Sequence, residues 1–225
     1  MIDKEKTLTL SLLVGGAVGG FGFLGIAFVA GAFREDYRAL HQPVSMLSLG
    51  PGGWVQIANF VVTGLLMVAC AAGLRRALRS GRGATWGPLL IGSYGLGLVA
   101  SGVFSADPSY GYPPGAALGP AASPSLTGTL HDLAGFMVFG PLTAACFVFA
   151  RRFAAQAGRR RWAAYSFLSG MAIPAFIAGS FSAWSSGMAA NFGGVFQRLA
   201  IVTGWVWICL LALSIIRDTR TTELP

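Results

Sequence analysis

His41 and His131 are the two histidines of the chain, and each stands near groups that chemistry can use. Ser45 follows His41 by four residues, Asp132 follows His131 directly, and Asp107-Pro108 closes the apolar run that precedes His131. Two neutral imidazoles and a carboxylate form the donor set of a catalytic zinc with its fourth position left for water. On that pattern His41, His131 and Asp107 or Asp132 are candidate zinc ligands. His41, Ser45, Asp107 and His131 are the candidate catalytic residues, with the Ser45 hydroxyl orienting substrate. A histidine at a helix start has its charged form disfavoured by the helix dipole, and neutral imidazole is the form that ligation or general-base work requires. An interfacial histidine held by a loop carbonyl is the plainer alternative for His131.

The neighbouring charges carry similar double readings. Asp107 is expected at a helix C-terminus and Arg198 at a helix N-terminus, each the unfavourable end for its sign by roughly 0.3–1 kcal/mol. Both become favourable if they face each other as a salt bridge or share a polar ligand. Thr129-Leu130-His131-Asp132 has the form of a capping box, with Thr129 as N-cap and Asp132 three residues on. Gln56, Asn59 and Thr63 fall at i, i+3 and i+7, one polar stripe on a helix, which must turn inward if lipid surrounds it. Gln56, Asn59 and Arg198 are therefore candidate substrate-binding residues. Ser180, Ser182, Ser185 and Ser186, with Trp54 and Trp184, are candidate lining for an outward-opening cavity, a helix-to-helix hydrogen-bond zipper being the alternative.

The elements that must hold these residues follow from composition. Of 225 residues, 54% are apolar and 11% charged, and the mean hydropathy is +0.65. A soluble domain carries about 25% charged residues, and a disordered chain needs low hydropathy with high charge, so both classes are excluded. A helix crosses a bilayer core of about 30 Å with around 20 apolar residues. Runs at 8–33, 54–74, 87–106, 130–150, 163–183 and 198–216 meet that length. The first is too long for a secretory h-region of about 7–15 residues, and none shows the alternation of barrel strands. The expected fold is all-α: one polytopic domain over 1–225, a bundle of six transmembrane helices.

Charge sets the orientation. Lys4, Lys6, Arg75, Arg76, Arg79, Arg82, Arg151, Arg152, Arg159, Arg160, Arg161, Arg217 and Arg220 fall on one side, and Arg34, Arg38 and Arg198 on the other. Cations concentrate in cytoplasmic loops, so both termini are expected in the cytoplasm and the histidines on the outer face of a cell inner membrane. The arginine turns suit anionic lipid headgroups. The net charge of +8 is thus spread between apolar runs instead of gathered on one soluble face, which argues against nucleic-acid binding. Cys70, Cys146 and Cys209 lie inside apolar runs with no C-x-x-C spacing and read as buried hydrophobes.

Gly15, Gly16, Gly19, Gly20 and Gly22 in the first span, and Gly92, Gly95, Gly97 and Gly102 in the third, offer smooth faces for close helix packing. Pro174 is expected to kink the fifth span. The proline-rich stretch from Asp107 through Pro124 is expected to form an irregular cap over the outer face.

His41-Gln42-Pro43-Val44-Ser45, then Gly53-Trp54-Val55-Gln56 and Asn59, then Asp107-Pro108 and the Gly-x-Leu-His131 sequence, together resemble the multi-pass family catalogued as domain of unknown function 998. The resemblance implies a prokaryotic six-helix membrane protein and carries no activity to transfer. The histidine, aspartate and serine set is also broadly similar to that of membrane hydrolases of the alkaline ceramidase kind. The chain departs from those in having six spans and no H-x-x-x-H pair. Three functions stay open at this point: a metal-dependent hydrolase acting on a lipid or small amphiphile, a solute- or lipid-binding or transport protein, and a structural accessory subunit. Transport is disfavoured by the lack of ionisable side chains at mid-span. Haem ligation is disfavoured because His41 belongs to a loop.

Overall fold

A computed structural model describes residues 2–186 and 192–221. Among these residues the fold is all-helical: α1 (Ile2–Phe33), a 3₁₀ turn (Val44–Ser48), α2 (Gly53–Ala77), α3 (Trp86–Val103), α4 (Leu126–Ala154), α5 (Arg160–Ser185) and α6 (Gly193–Thr221). All six α-helices are long and apolar enough to cross a membrane. Each packs on its neighbour in sequence, and α6 returns to α1, so the bundle closes as a ring. An even number of antiparallel spans brings both termini to one end, the end that carries the arginine turns. α5 contacts only α4 and α6 to any extent and is the least buried helix, whereas α6 is the most buried.

Lipid tails give helices no hydrophobic reason to associate, so the ring depends on backbone approach and aromatic packing. A Cβ on Gly64 of α2 would lie 2.6 Å from the Gly95 carbonyl oxygen of α3, and a Cβ on Gly95 would lie 2.7 Å from that of Gly64. Gly97 meets the backbone of Met137 on α4 in the same way, at 2.8 Å. In α1, Gly16 and Gly20 are occupied by Cys70 of α2 and by Cys209 and Trp205 of α6. Gly22 faces open space and is no part of that surface. Trp205 fills the centre, with Phe23 and Tyr94 each at 5.4 Å between ring centroids. Trp207 packs on Phe149 and donates its indole N–H to Ser166 Oγ at 3.0 Å.

The helix bounds differ from the apolar runs where the change matters most. α3 ends at Val103, so Asp107 is not its last residue, and α6 begins at Gly193, so Arg198 lies beyond its first turn. α4 begins at Leu126 with Ser125 as its N-cap, which replaces the capping box expected at Thr129 and Asp132. Hydroxyl and carboxylate groups upstream supply the cap, and the Thr129 hydroxyl bonds back to the Ser125 carbonyl at 2.9 Å. Pro141 joins Pro174 as a proline inside a helix, both helices remaining continuous through the ring.

Gly64→Ala is expected to lower the unfolding midpoint of the detergent-solubilised protein by the equivalent of roughly 1–3 kcal/mol, as overpacking against a backbone does. Gly22→Ala, placed in open space, should leave the midpoint unchanged or raised, and equal effects from the two would contradict this packing.

Candidate functional site

Two of the three arginines on the histidine side, Arg198 and Arg34, serve the chain's own carbonyls. Arg198 donates from Nη1 to Gln42 O at 2.9 Å and to Gly194 O at 3.0 Å, and from Nη2 to the Tyr37 hydroxyl. Its guanidinium also lies over the Tyr37 ring at 5.6 Å. Burial pushes the Tyr37 phenol up, Arg198 opposing, so it stays a hydroxyl and donates to Pro43 O at 3.0 Å. Arg34 closes the same loop by donating to Leu49 O at 2.8 Å and Leu47 O at 3.3 Å, and to the Tyr112 hydroxyl at 3.4 Å. Gln42 accepts from Arg38 N at 2.7 Å and donates to Tyr110 O at 3.1 Å, while Gln197 accepts from Val44 N at 2.8 Å. The His41-Gln42-Pro43-Val44 segment is therefore fixed to α6 and to the long loop through backbone groups.

Asp107 does not meet Arg198. Its carboxylate accepts from the Ser125 backbone N–H at 2.7 Å and from the Ser125 hydroxyl at 2.6 Å, and Ser125 Oγ in turn accepts from Gly128 N at 3.0 Å. The carboxylate thus stands at the N-terminus of α4, the favourable end for its charge. The salt bridge expected from the two misplaced charges is replaced by two local solutions. Gly128 leaves the room: a Cβ there would overlap the Asp107 carboxylate.

The histidines are separated by role. His131 is buried, and its Nδ1 lies 2.9 Å from the Phe104 carbonyl oxygen just beyond the end of α3. A carbonyl only accepts, so Nδ1 is the donor of this bond and Nε2 is the nitrogen left for any acceptor role. His41 is equally buried, but neither ring nitrogen has a partner among the described residues. It borders a pocket of about 240 Å³ shared with Asp36, Arg38 and Tyr110, whereas His131 borders two other cavities. Among the described residues no group of three or more His, Cys, Asp or Glu side chains could hold a metal ion. The donor set expected for zinc is thus not brought together.

What does assemble is a cavity of about 310 Å³ between α4, α5 and the two outer loops. Its apolar wall is Phe136, Phe139, Ile177 and Phe181, and its polar rim includes Ser45, Asp107, Ser109, Asp132 and Ser180. No lysine or arginine lines it. Phe136 and Phe181 are exposed on the helix surface, and Cβ atoms on Gly135 and Gly140 would meet nothing, so this wall is open sideways. Ser45, His131, Gly135, Phe139 and Gln197 border both this cavity and a chamber of about 90 Å³ inside the bundle beside Ser101 and Trp205. His131, Ser45 and Gln197 therefore stand at the junction. Tyr110 leans over the same rim, stacked on Trp184 at 4.9 Å; burial, then the Asp132 carboxylate, pushes its phenol up.

The polar stripe on α2 lies elsewhere. Asn59 donates to Phe23 O of α1 at 3.2 Å and to Gln56 Oε1 at 3.3 Å, and Thr63 donates to Asn59 at 3.4 Å. All three face the bundle, and none borders the cavities. Trp54, Ser182, Ser185 and Ser186 are exposed on the outside, leaving Ser180 and Trp184 as the cavity residues of that group. Ser109 and Gln197 were unmarked by any motif; the one available signal is that Gln197 is a polar residue beside Arg198 in an apolar run.

The chain matches the family described as protein of unknown function DUF998 over residues 17–214. It belongs to the DUF998 family. No curated protein and no solved structure matches it. Membership and the six apolar helices make this DUF998 chain a multi-pass membrane protein.

Removing the Arg198 fork should loosen the first outer loop. Arg198→Ala is expected to cost about 1.5–3 kcal/mol, the scale of a charge-assisted hydrogen bond, and to speed protease cleavage between Phe33 and Gly53. Arg198→Lys should restore only part, since an ammonium lacks the planar fork; wild-type cleavage rates in Arg198→Ala would disprove the clamp.

Proposed function

We propose that this DUF998 protein binds an amphiphile in the lateral cavity between α4 and α5, with the tail along Phe136, Ile177 and Phe181 and the head at the Asp132 and His131 rim. The observation that carries the reading is one cavity with an apolar wall open toward lipid and a rim holding two carboxylates and no cation. Its volume of about 310 Å³ falls in the range of ligand clefts, at the lower end. A tail leaving lipid for an apolar wall gains little, because lipid is equally apolar. Selection therefore falls on the head. Asp107 is committed to Ser125, while the Asp132 carboxylate makes no hydrogen bond to a described residue and is exposed at the rim. That leaves one carboxylate for a cationic head. His131 Nε2, Ser45 and Gln197 offer hydrogen bonds to its N–H or O–H groups deeper in.

A hydrolytic second reading rests on the fixed tautomer of His131, which presents a basic Nε2 to the two cavities that Ser45 also borders. In that reading His131 takes the proton of Ser45 or of water. Asp107 acts only through the cap that sets α4. The binding reading asks less, since it needs no nucleophile within hydrogen-bond reach of the base.

The same reading sets the histidine side outward and both termini in the cytoplasm of an inner membrane. The support is the crowding of thirteen of sixteen Lys and Arg residues at the opposite end. At that end the arginine turns lie among anionic headgroups.

Photoreactive single-chain amphiphiles of one tail length, carrying ammonium, glycoside or sulfate heads, would test it on the full chain in nanodiscs. Labelling is expected on α4 and α5 near Phe136 and Phe181, strongest for ammonium. Gly135→Leu should plug the cavity and abolish labelling without loss of stability, because its Cβ enters open space. Asp132→Asn should erase the preference for ammonium, and His131→Ala should weaken labelling for every head. Equal labelling by ammonium and sulfate, or labelling untouched by Gly135→Leu, would refute the proposal.

A further inference from the structure

The opposite end of the bundle holds a second recess, separate from the cavity above. It measures about 1,060 Å³ and lies between the N-terminal turns of α1 and the C-terminal ends of α2, α4 and α6. Lys6, Arg75, Arg76, Arg79 and Arg152 line it, against two carboxylates, Glu5 and Asp218. Both carboxylates are already engaged: Glu5 pairs with Arg76, and Asp218 pairs with Arg159, which stands outside the recess. Arg152 donates to the Arg82 carbonyl at 2.8 Å and the Ser80 carbonyl at 3.3 Å, partners that orient the guanidinium without neutralising it. Arg75 and Arg79 have no hydrogen bond or ion pair to any described residue.

Helix ends do not account for this charge. Three C-termini contribute about half a negative charge each and the α1 N-terminus about half a positive one, so the five cations and two carboxylates of the described lining leave a net of roughly two positive charges. A bland interfacial belt would spread arginines around the rim. Here the last turns of α2 and α4 bring them to one concave site, where the planar fork of arginine matches phosphate oxygens.

We propose that this recess is a binding site for a dianionic phosphate, a phosphomonoester or pyrophosphate group, carried either by a lipid headgroup or by a soluble molecule. A phosphomonoester carries about 1.5 to 2 negative charges at pH 7, which matches the residual charge, whereas the phosphodiester of an ordinary anionic lipid carries one. The site stands independently of the amphiphile cavity.

The test uses the full chain in nanodiscs of zwitterionic lipid, with binding read by native mass spectrometry. One arm titrates pyrophosphate; a second adds phosphatidic acid, and a third adds phosphatidylglycerol at equal surface charge. Retention of pyrophosphate or of phosphatidic acid over phosphatidylglycerol is expected, and the arm that retains names the source. Arg75→Gln with Arg79→Gln should weaken retention about tenfold or more, as loss of charge-assisted contacts does. These exposed, unpartnered side chains can be changed without disturbing the fold. Arg160→Gln with Arg161→Gln, at the same end but outside the recess, should not weaken it. Equal retention of the two lipids without pyrophosphate binding, or equal weakening by the two double variants, would overturn the site in favour of general surface attraction. So would retention of neither phosphate.

Discussion

The Arg198 guanidinium is the point through which the outer half of the molecule is organised. A cation on this side of the bundle runs against the charge bias of the rest of the chain, and it stays because it satisfies carbonyls from two elements at once. Its bonds to Gln42 O and Gly194 O tie the first outer loop to the start of α6. Backbone groups removed from water must find partners inside the protein, and a loop cannot supply them by its own ladder. One guanidinium offers five donors in a fixed plane, so a single residue closes a segment that would otherwise need several. With the loop fixed, Val44 reaches Gln197 and the His41 carbonyl reaches the Trp184 indole at 2.7 Å. Two of these residues, Gln197 and Trp184, line the lateral cavity.

A second requirement operates within the membrane. Where α2, α3 and α4 touch, glycine lets backbone meet backbone, and the aromatic rings of α6 fill the space that remains. α5 is the least buried of the six helices, although it too meets α4 through Gly170 and α6 through Gly179. The lateral opening lies between α4 and α5. Gly135 and Gly140 face it without a neighbour to fill the gap, whereas Gly64, Gly95 and Gly97 are filled by facing backbone.

The fold was largely legible in the sequence because its determinants are long and additive. Twenty apolar residues between arginine turns can form little but a spanning helix, and each of the six runs lies mostly within an observed helix. The site was legible only in part. His131, Ser45, Asp107 and Asp132 do border one cavity, while His41, Gln56 and Asn59 do not. The misplacements of Asp107, Arg198 and the Thr129 cap share a cause: they depended on helix ends. Hydropathy ignores the first polar turn of a helix, so α4 begins four residues before the apolar run and α6 five before. Those few residues move Asp107 from an unfavourable helix end to a favourable one and give Ser125 the cap that Thr129 had been assigned. Nor can linear spacing reveal whether a buried polar stripe lines a cavity or bonds a neighbouring helix. The α2 stripe took the second course because Asn59 lies against the Phe23 carbonyl.

The two histidines show why residue type alone underdetermines a site. Both are buried, and both lie on the same side of the bundle. His131 is held by one bond, from Nδ1 to the Phe104 carbonyl, and its side chain borders two cavities. Neither ring nitrogen of His41 bonds a described residue, and the side chain borders a separate pocket. Its backbone carries the structural role instead, accepting from Trp184 and donating its N–H to the Arg38 carbonyl at 2.9 Å. α6 packs directly on this backbone: a Cβ on Gly194 would lie 2.9 Å from the His41 carbonyl carbon and 2.8 Å from the Gln42 oxygen. Equivalent in sequence, the two imidazoles thus divide the work, His41 through its main chain in closing the loop and His131 through its side chain at the mouth of the chamber.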